Sequence, residues 1–211
     1  MKKVMIWGAS GGIGKALLTK FSNQGWFTVA IARDTSEIDE ISNLSMDARF
    51  EDPTLVAQTV SLAAQEIDEI GLWIYAAGDI LSKKIEDMSL GEWQQIIDAN
   101  LTGPFLAIKY SLPLLKEDAH VMFIGAVSER LRLPGLSAYA TSKVGLEAFA
   151  DVFRKEHRKK KVTVVRPGAV ATPLWDKVPI RLPDKSASSE KVAQEILNAY
   201  LQGHTGHLDL V

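Results

Sequence analysis

Short apolar or β-branched runs alternate with longer stretches of helical period along this chain. The runs Lys3 to Trp7, Phe27 to Ala32, Asn43 to Met46, Leu72 to Ala76, His120 to Ile124, Lys161 to Val165 and Gly206 to Leu210 predict seven strands. Helical patterns lie between them at Ile13 to Gln24, Pro53 to Glu69, Leu90 to Leu115, Ala138 to Arg158 and Ser188 to Leu201. Such alternation predicts an α/β fold, a doubly wound parallel sheet of seven strands with helices on both faces, because parallel strands need crossovers and the crossovers cover the sheet. Only Arg33 to Ser42 is too short for a crossover helix, so a single turn or a loop is expected there. Gly78 to Ser89 and the Pro-punctuated segment after Pro167 read as loops. The second is long and follows a strand end, so residues 167–187 are expected to form a lid.

Composition narrows this to one domain over residues 1–211, since 46% hydrophobic and 24% charged residues suit a single closed core. Lys plus Arg number 24 against 26 Asp plus Glu, a formal charge of −2, which offers no drive toward nucleic acid or anionic lipid. With no cysteine there is no disulfide, thiol nucleophile or cysteine-ligated zinc, and a reducing compartment is compatible. The apolar start Val4 to Trp7 stops at Gly8, too soon for an export signal. No run approaches the roughly 18 apolar residues of a spanning helix. The expectation is a cytoplasmic protein that binds neither membrane nor nucleic acid.

Chemistry begins where the first strand ends, in Gly8-Ala9-Ser10-Gly11-Gly12-Ile13-Gly14. Glycines there let the backbone turn sharply and approach a pyrophosphate, while the next helix presents free N–H groups and its positive end. Farther on, Tyr139 and Lys143 stand four apart in a helical pattern and share one face. A tyrosine of pKa about 10 is a poor acid or base near pH 7, and a neighbouring ammonium favours its phenolate.

The spacing Gly-x-x-x-Gly-x-Gly resembles the short-chain dehydrogenase/reductase family. The resemblance runs along almost the whole chain through Ala76-Ala77-Gly78, Asn100 in Asp98-Ala99-Asn100-Leu101-Thr102-Gly103, the Tyr139/Lys143 pair, and Arg166-Pro167-Gly168 with Thr172. It implies a Rossmann-type NAD(P)-dependent oxidoreductase that exchanges hydride between nicotinamide and a carbonyl or alcohol carbon. Within it, Tyr139 moves the proton. Lys143 lowers the tyrosine's pKa and holds the nicotinamide ribose, and Asn100 supports a water relay. Gly8, Ser10, Gly12, Ile13 and Gly14, with Ala76, Ala77, Gly78, Pro167, Gly168 and Thr172, are the positions expected to hold the cofactor.

Departures from the family pattern matter as much. Thirteen residues before Tyr139, where the family carries a substrate-orienting serine, stands Ala126, and the nearest hydroxyl is Ser128. Either a two-residue shift lets Ser128 serve or the substrate is oriented without that bond, whose loss typically costs about 10²-fold or more in rate. Ser128 is expected to serve. Trp7 and Tyr75 occupy positions where the family usually has Thr and Asn, and aromatic stacking is expected to replace the lost polar braces.

Cofactor choice turns on the end of the second strand. An acid there would accept from the NAD ribose, but Ala32 holds that register and Arg33 follows, as in family members that prefer NADP(H). NAD(H) remains possible, because Asp34 could neutralise Arg33. Asp47, followed by Ala48, matches the position that bonds the adenine amino group.

Other features carry less. Arg158 to Lys161 suits a helix C-terminus, and His120, His157, His204 and His207 lack metal-ligand spacing. Trp175, Val178, Ile180 and Leu182 would give the lid an apolar wall suited to an apolar or aromatic carbonyl substrate. Apolar residues on two faces of the Ala138 to Arg158 helix, among them Val144, Phe149 and Val152, predict a homodimer or homotetramer. The alternative raised by Ala126 is a dinucleotide-binding sensor or regulator with weak or no catalysis. An epimerase of the extended branch would need a larger C-terminal domain, and a Rossmann methyltransferase has no use for Tyr139 and Lys143.

Overall fold

The structure is a computed structural model that describes residues 1–179 and 181–210; Ile180, Val211 and the side chain of Ser128 lie outside the described residues. Seven parallel strands form one sheet: β1 (Lys3–Trp7), β2 (Phe27–Ala32), β3 (Leu44–Asp47), β4 (Ile70–Tyr75), β5 (Leu115–Ile124), β6 (Lys161–Pro167) and, last in the chain, β9 (Gly206–Leu210). Their spatial order is β3-β2-β1-β4-β5-β6-β9. The crossovers run through α1 (Gly12–Ser22), α2 (Pro53–Glu66), α3 (Leu90–Ile97), α4 (Gly103–Ser111), α5 (Ser137–Glu156) and α6 (Ser189–Gln202). A single 3₁₀ turn, Asp39–Ile41, fills the short link between β2 and β3.

Alternation along the strands builds two cores. Met5 and Trp7 of β1 with Trp73, Tyr75, Val121 and Phe123 face α2, α4 and α5. Val4, Ile6, Leu72, Ile74 and Met122 face α1 and α6. Period two sends neighbouring residues to opposite faces, and both faces are dry, so these strands read as nearly unbroken apolar runs.

Three expectations need correction. Leu90 to Leu115 is no continuous helix, because a π-helical turn, Asp98–Thr102, separates α3 from α4, a 3₁₀ turn covers Leu112–Leu114, and Leu115 already belongs to β5. The cause is Pro104, which has no N–H to close an ordinary bond onto the carbonyl of Asn100, so the backbone swells and Gly103 N reaches Asp98 O instead. β5 also starts five residues early, with a register irregularity between the Ile70↔Leu115 and Leu72↔His120 pairs. Within the segment read as loop, a short parallel pair, β7 (Val170–Ala171) and β8 (Ala187–Ser188), joins its two ends.

Candidate active site

β1 ends at Trp7 and the chain turns at Gly8, whose φ of +82° is the left-handed conformation glycine adopts without penalty. A Cβ on Gly8 would lie 2.3 Å from Ala77 N, so the ends of β1 and β4 meet there. Gly14 lets α1 start against the same turn, since a Cβ on it would stand 2.0 Å from Gly8 O. Gly11, the N-cap, offers no side chain, and Lys15 N is the first amide to close onto it, at 2.7 Å. The N–H groups of Gly12, Ile13 and Gly14 thus lack helical acceptors at the positive end of α1. Gly8, Ser10, Gly12 and Ile13 line a cavity of about 1140 Å³, whereas Gly14 acts only through packing.

At one end of this cavity Arg33 lines the wall, exposed and, among the described residues, in no ion pair. Asp34 does not neutralise it. The Asp34 carboxylate accepts from Ser36 N at 3.0 Å, and that bond holds its carboxyl below the usual range. Asp47 is not on the cavity wall; its carboxylate accepts from Thr35 N at 2.9 Å and braces the loop after β2. Phe50 and Glu51 take the wall instead, and sequence reasoning missed both. The signal for them is positional: segments just beyond the carboxyl ends of parallel strands line the crevice. Phe50 packs edge-on against Trp7, with centroids 5.6 Å apart, and against Tyr75 at 6.0 Å, so both positions sit in aromatic packing, while Tyr75 also keeps a polar brace through its hydroxyl.

Ala76, Ala77 and Gly78 line the middle of the cavity beside Asn100, Tyr139 and Lys143. Helical spacing on α5 sets Lys143 Nζ 5.6 Å from the Tyr139 ring centroid, and the amine donates to Ile124 O at 3.1 Å. Burial pulls the Lys143 amine down to about 8 and pushes the Tyr139 phenol up to about 12. The lowering of the phenol by Lys143 is therefore not a property of the ligand-free protein, in which desolvation dominates and keeps the phenol protonated.

Asn100, fully buried, donates from Nδ2 to Asp79 O at 2.7 Å and to Ile96 O at 2.8 Å. Its Oδ1 has no hydrogen-bond partner among the described residues. A Cβ on Gly78 would fall 2.8 Å from that oxygen and 3.6 Å from Lys143 Nζ, so a missing side chain leaves both groups facing one small space. Tyr75 braces the π-helical turn by donating from its hydroxyl to Ala99 O at 3.0 Å, and a Cβ on Gly103 would lie 2.4 Å from the same hydroxyl.

Ala126 is buried on the cavity wall, followed by Val127. Ser128 opens the turn Ser128–Leu131, but its side chain lies outside the described residues. That turn is tied down by Arg166, which pairs with Glu129, Glu147 and Asp209 at 3.1, 3.3 and 2.8 Å.

Pro167, Gly168 and Thr172 line the cavity at and just beyond the end of β6. Thr172 sits so close to the glycine turn that a Cβ on Gly12 would meet its methyl at 2.6 Å. Trp175 and Val178 face the cavity; Leu182 does not, and Ile180 lies outside the described residues. Lys177, from the 3₁₀ turn Pro173–Lys177, pairs with Asp79 at 2.6 Å. Burial pushes the Asp79 carboxyl up, but bonds from Lys177, Gln95 and Ile80 N outweigh it and leave the group charged, below the usual range. Asp79 is a third residue that sequence reasoning passed over, although it directly follows Gly78. Among the described residues no cluster of His, Asp and Glu could hold a metal ion, and no helix is long and apolar enough to cross a membrane.

Comparison with known proteins agrees with this geometry. The family model described as short chain dehydrogenase matches residues 2–181. A 3-amino-tetrahydro-pyrrolizinone reductase from Xenorhabdus hominickii is 30% identical over 185 residues, covering 83% of this chain and 64% of that protein, just under two thirds of its length. An uncharacterized oxidoreductase from Staphylococcus epidermidis is 30% identical over 83% of this chain and 80% of its own. Among solved structures, a short-chain dehydrogenase/reductase from Serratia marcescens superposes with a TM-score of 0.88 at 18% identity, covering 99% of this chain and 96% of that one. A 3-ketoacyl-(acyl-carrier-protein) reductase from Brucella melitensis complexed with NADH gives 0.87 at 18% identity, covering 99% and 96%. At such identities the structures speak for the fold alone, whereas the family model and the 30% relatives speak for descent. The chain belongs to the short-chain dehydrogenase family of oxidoreductases.

Proposed function

We propose that the protein is an NADPH-dependent reductase of a small carbonyl compound, working equally in the reverse alcohol oxidation. The observation that carries this is the meeting of Tyr139, Lys143 and Asn100 in the cavity that also holds the uncapped start of α1. A dinucleotide fits the residues present: Gly8, Ser10, Gly12 and Ile13 line the cavity at the uncapped start of α1, whose free N–H groups suit a pyrophosphate, and Gly78 leaves Asn100 Oδ1 and Lys143 Nζ unobstructed. When bound, the nicotinamide supplies the hydride.

The chain's own part is protonic and electrostatic. A buried Tyr139 with its pKa raised to about 12 is protonated near neutral pH, the form needed to donate to a carbonyl oxygen as it gains charge. Lys143 stabilises the phenolate left behind, and Asn100 Oδ1 holds a hydroxyl or water that returns the proton toward Lys143. Ser10 and Arg33 are suited to the 2′-phosphate of NADP(H), with Arg33 free of a competing acid. Glu51 on the same stretch of wall keeps NAD(H) as the weaker choice. Asp47 stays a candidate for the adenine, and Ser128 for orienting the substrate. Apolar lid residues Trp175 and Val178 favour an apolar or aromatic carbonyl.

Tyr139→Phe is the direct test: NADPH binding should persist while turnover over a panel of aldehydes and ketones falls by about 10²-fold or more. Unchanged turnover would refute the role of Tyr139. Buried Ala126 favours one second reading, a dinucleotide-binding regulator, and NADPH binding with no turnover on the panel would select it.

Phe105 on α4 with Val144 and Val152 on α5 are 43%, 48% and 53% exposed, which supports pairing of two or four copies through these helices. Sedimentation at micromolar concentration should show a species heavier than 23.1 kDa.

A further inference from the structure

Asp79 stands at a junction of three elements. Its carboxylate is 6% exposed and fully occupied: Oδ1 accepts from Ile80 N at 2.9 Å and from Lys177 Nζ at 2.6 Å, and Oδ2 accepts from Gln95 Nε2 at 2.9 Å. Its carbonyl is held by Asn100. Lys177 arrives from 98 residues away and is 48% exposed. Among the described residues, no other ion pair or side-chain hydrogen bond joins residues 170–187 to the rest of the molecule; Arg181 pairs only with Asp184, inside the segment.

We infer that Asp79 is a positioning residue that holds the lid over the cavity through Lys177. The two ends of the pair are unequal. When the lid lifts, Lys177 gains water, but Asp79 is left as a buried carboxylate without its cation, and that state is costly. The pair therefore weights the closed lid far more than a surface ion pair would. Asp79 cannot follow the lid outward, because Gln95, Ile80 N and the Asn100 amide fix it from the other side. Leu174, Trp175 and Val178, apolar residues of the cavity wall, lie within three residues of Lys177 in the same segment. The consequence for catalysis rests on the reading of this cavity as the cofactor and substrate site; the lid contact does not.

Hydrogen exchange on the ligand-free protein tests it. The amides of Trp175 and Val178 bond to Thr172 O and Trp175 O within the lid turn and report its opening. Lys177→Met, at a half-exposed position that the fold tolerates, should exchange there about tenfold faster, the factor corresponding to ~1.4 kcal/mol. Lys177→Arg should stay near wild type. Asp79→Asn should match Lys177→Met, and the double variant should exchange no faster than either single one. NADPH dissociation, followed by stopped-flow fluorescence, should quicken in Lys177→Met by a similar factor. Unchanged exchange in Lys177→Met overturns the inference whether or not NADPH binds. Faster exchange in a protein that binds no nicotinamide nucleotide supports the lid contact and refutes the cofactor reading alone.

Discussion

Replacing Lys143 with Met should make the ligand-free protein more stable at neutral pH. The amine is buried, and desolvation pulls it down to about 8 from the 10.5 of an unfolded chain. At about 1.4 kcal/mol per unit, holding that group inside costs the folded state on the order of 3 kcal/mol below pH 8. Met removes the cost but leaves Ile124 O without its donor, a loss of about 1–2 kcal/mol, so a net gain of about 1–2 kcal/mol is expected at pH 7. Between about pH 8 and 10.5 the unfolded wild type holds a proton that the folded protein does not, so wild-type stability rises with pH. The variant lacks this rise, and from pH 8 to 9.5 the wild type should gain on it by on the order of 2 kcal/mol. Tyr139, pushed up to about 12, acts in the opposite sense, but only as the unfolded phenol ionises near 10 and above. Urea unfolding followed by tryptophan fluorescence, at fixed protein concentration from pH 7 to 9.5, reads both quantities. Parallel curves for the two proteins would show that the folded amine titrates near 10.5, and the account of a desolvated Lys143 would fail.

Two further outcomes follow from the site. Arg33→Ala should weaken NADPH binding by tenfold or more and leave NADH binding within a factor of about two, since only the first carries a 2′-phosphate for the guanidinium; equal losses in paired titrations would contradict the assignment. Ala126→Ser adds a hydroxyl on the cavity wall in the register the family uses, but with Ser128 proposed to orient the substrate kcat on the best carbonyl of a panel should change by less than about threefold; a rise of about tenfold or more would mean that Ser128 does not supply that bond.

Much of the architecture was legible because the strands are buried on both sides and so read as dense apolar runs, from Val4 to Trp7 and from Val162 to Val165. The break within Leu90 to Leu115 was harder, because the apolar period runs on through Gly103-Pro104 and Pro113, and the π-helical turn depends on one missing N–H. Site residues in tight motifs stood out, since glycine is required where Gly8 has positive φ and where Gly14 meets Gly8 O. Residues that act through tertiary contact did not. Asp79 gains its place from Lys177 and Gln95, distant in sequence, and Tyr75 braces Ala99 O, also distant in sequence. Asp47 reads the same whether it faces a cavity or caps Thr35 N, and only the fold distinguishes them. The state of the Tyr139 and Lys143 pair likewise depends on burial, which spacing alone does not reveal.

The central claim, that this cavity is a nicotinamide dinucleotide site, is tested most directly by titrating the protein with NADPH while following the fluorescence of its five tryptophans. The account predicts saturable binding of one NADPH per chain in the micromolar range or tighter. No saturation up to millimolar NADPH or NADH would contradict it.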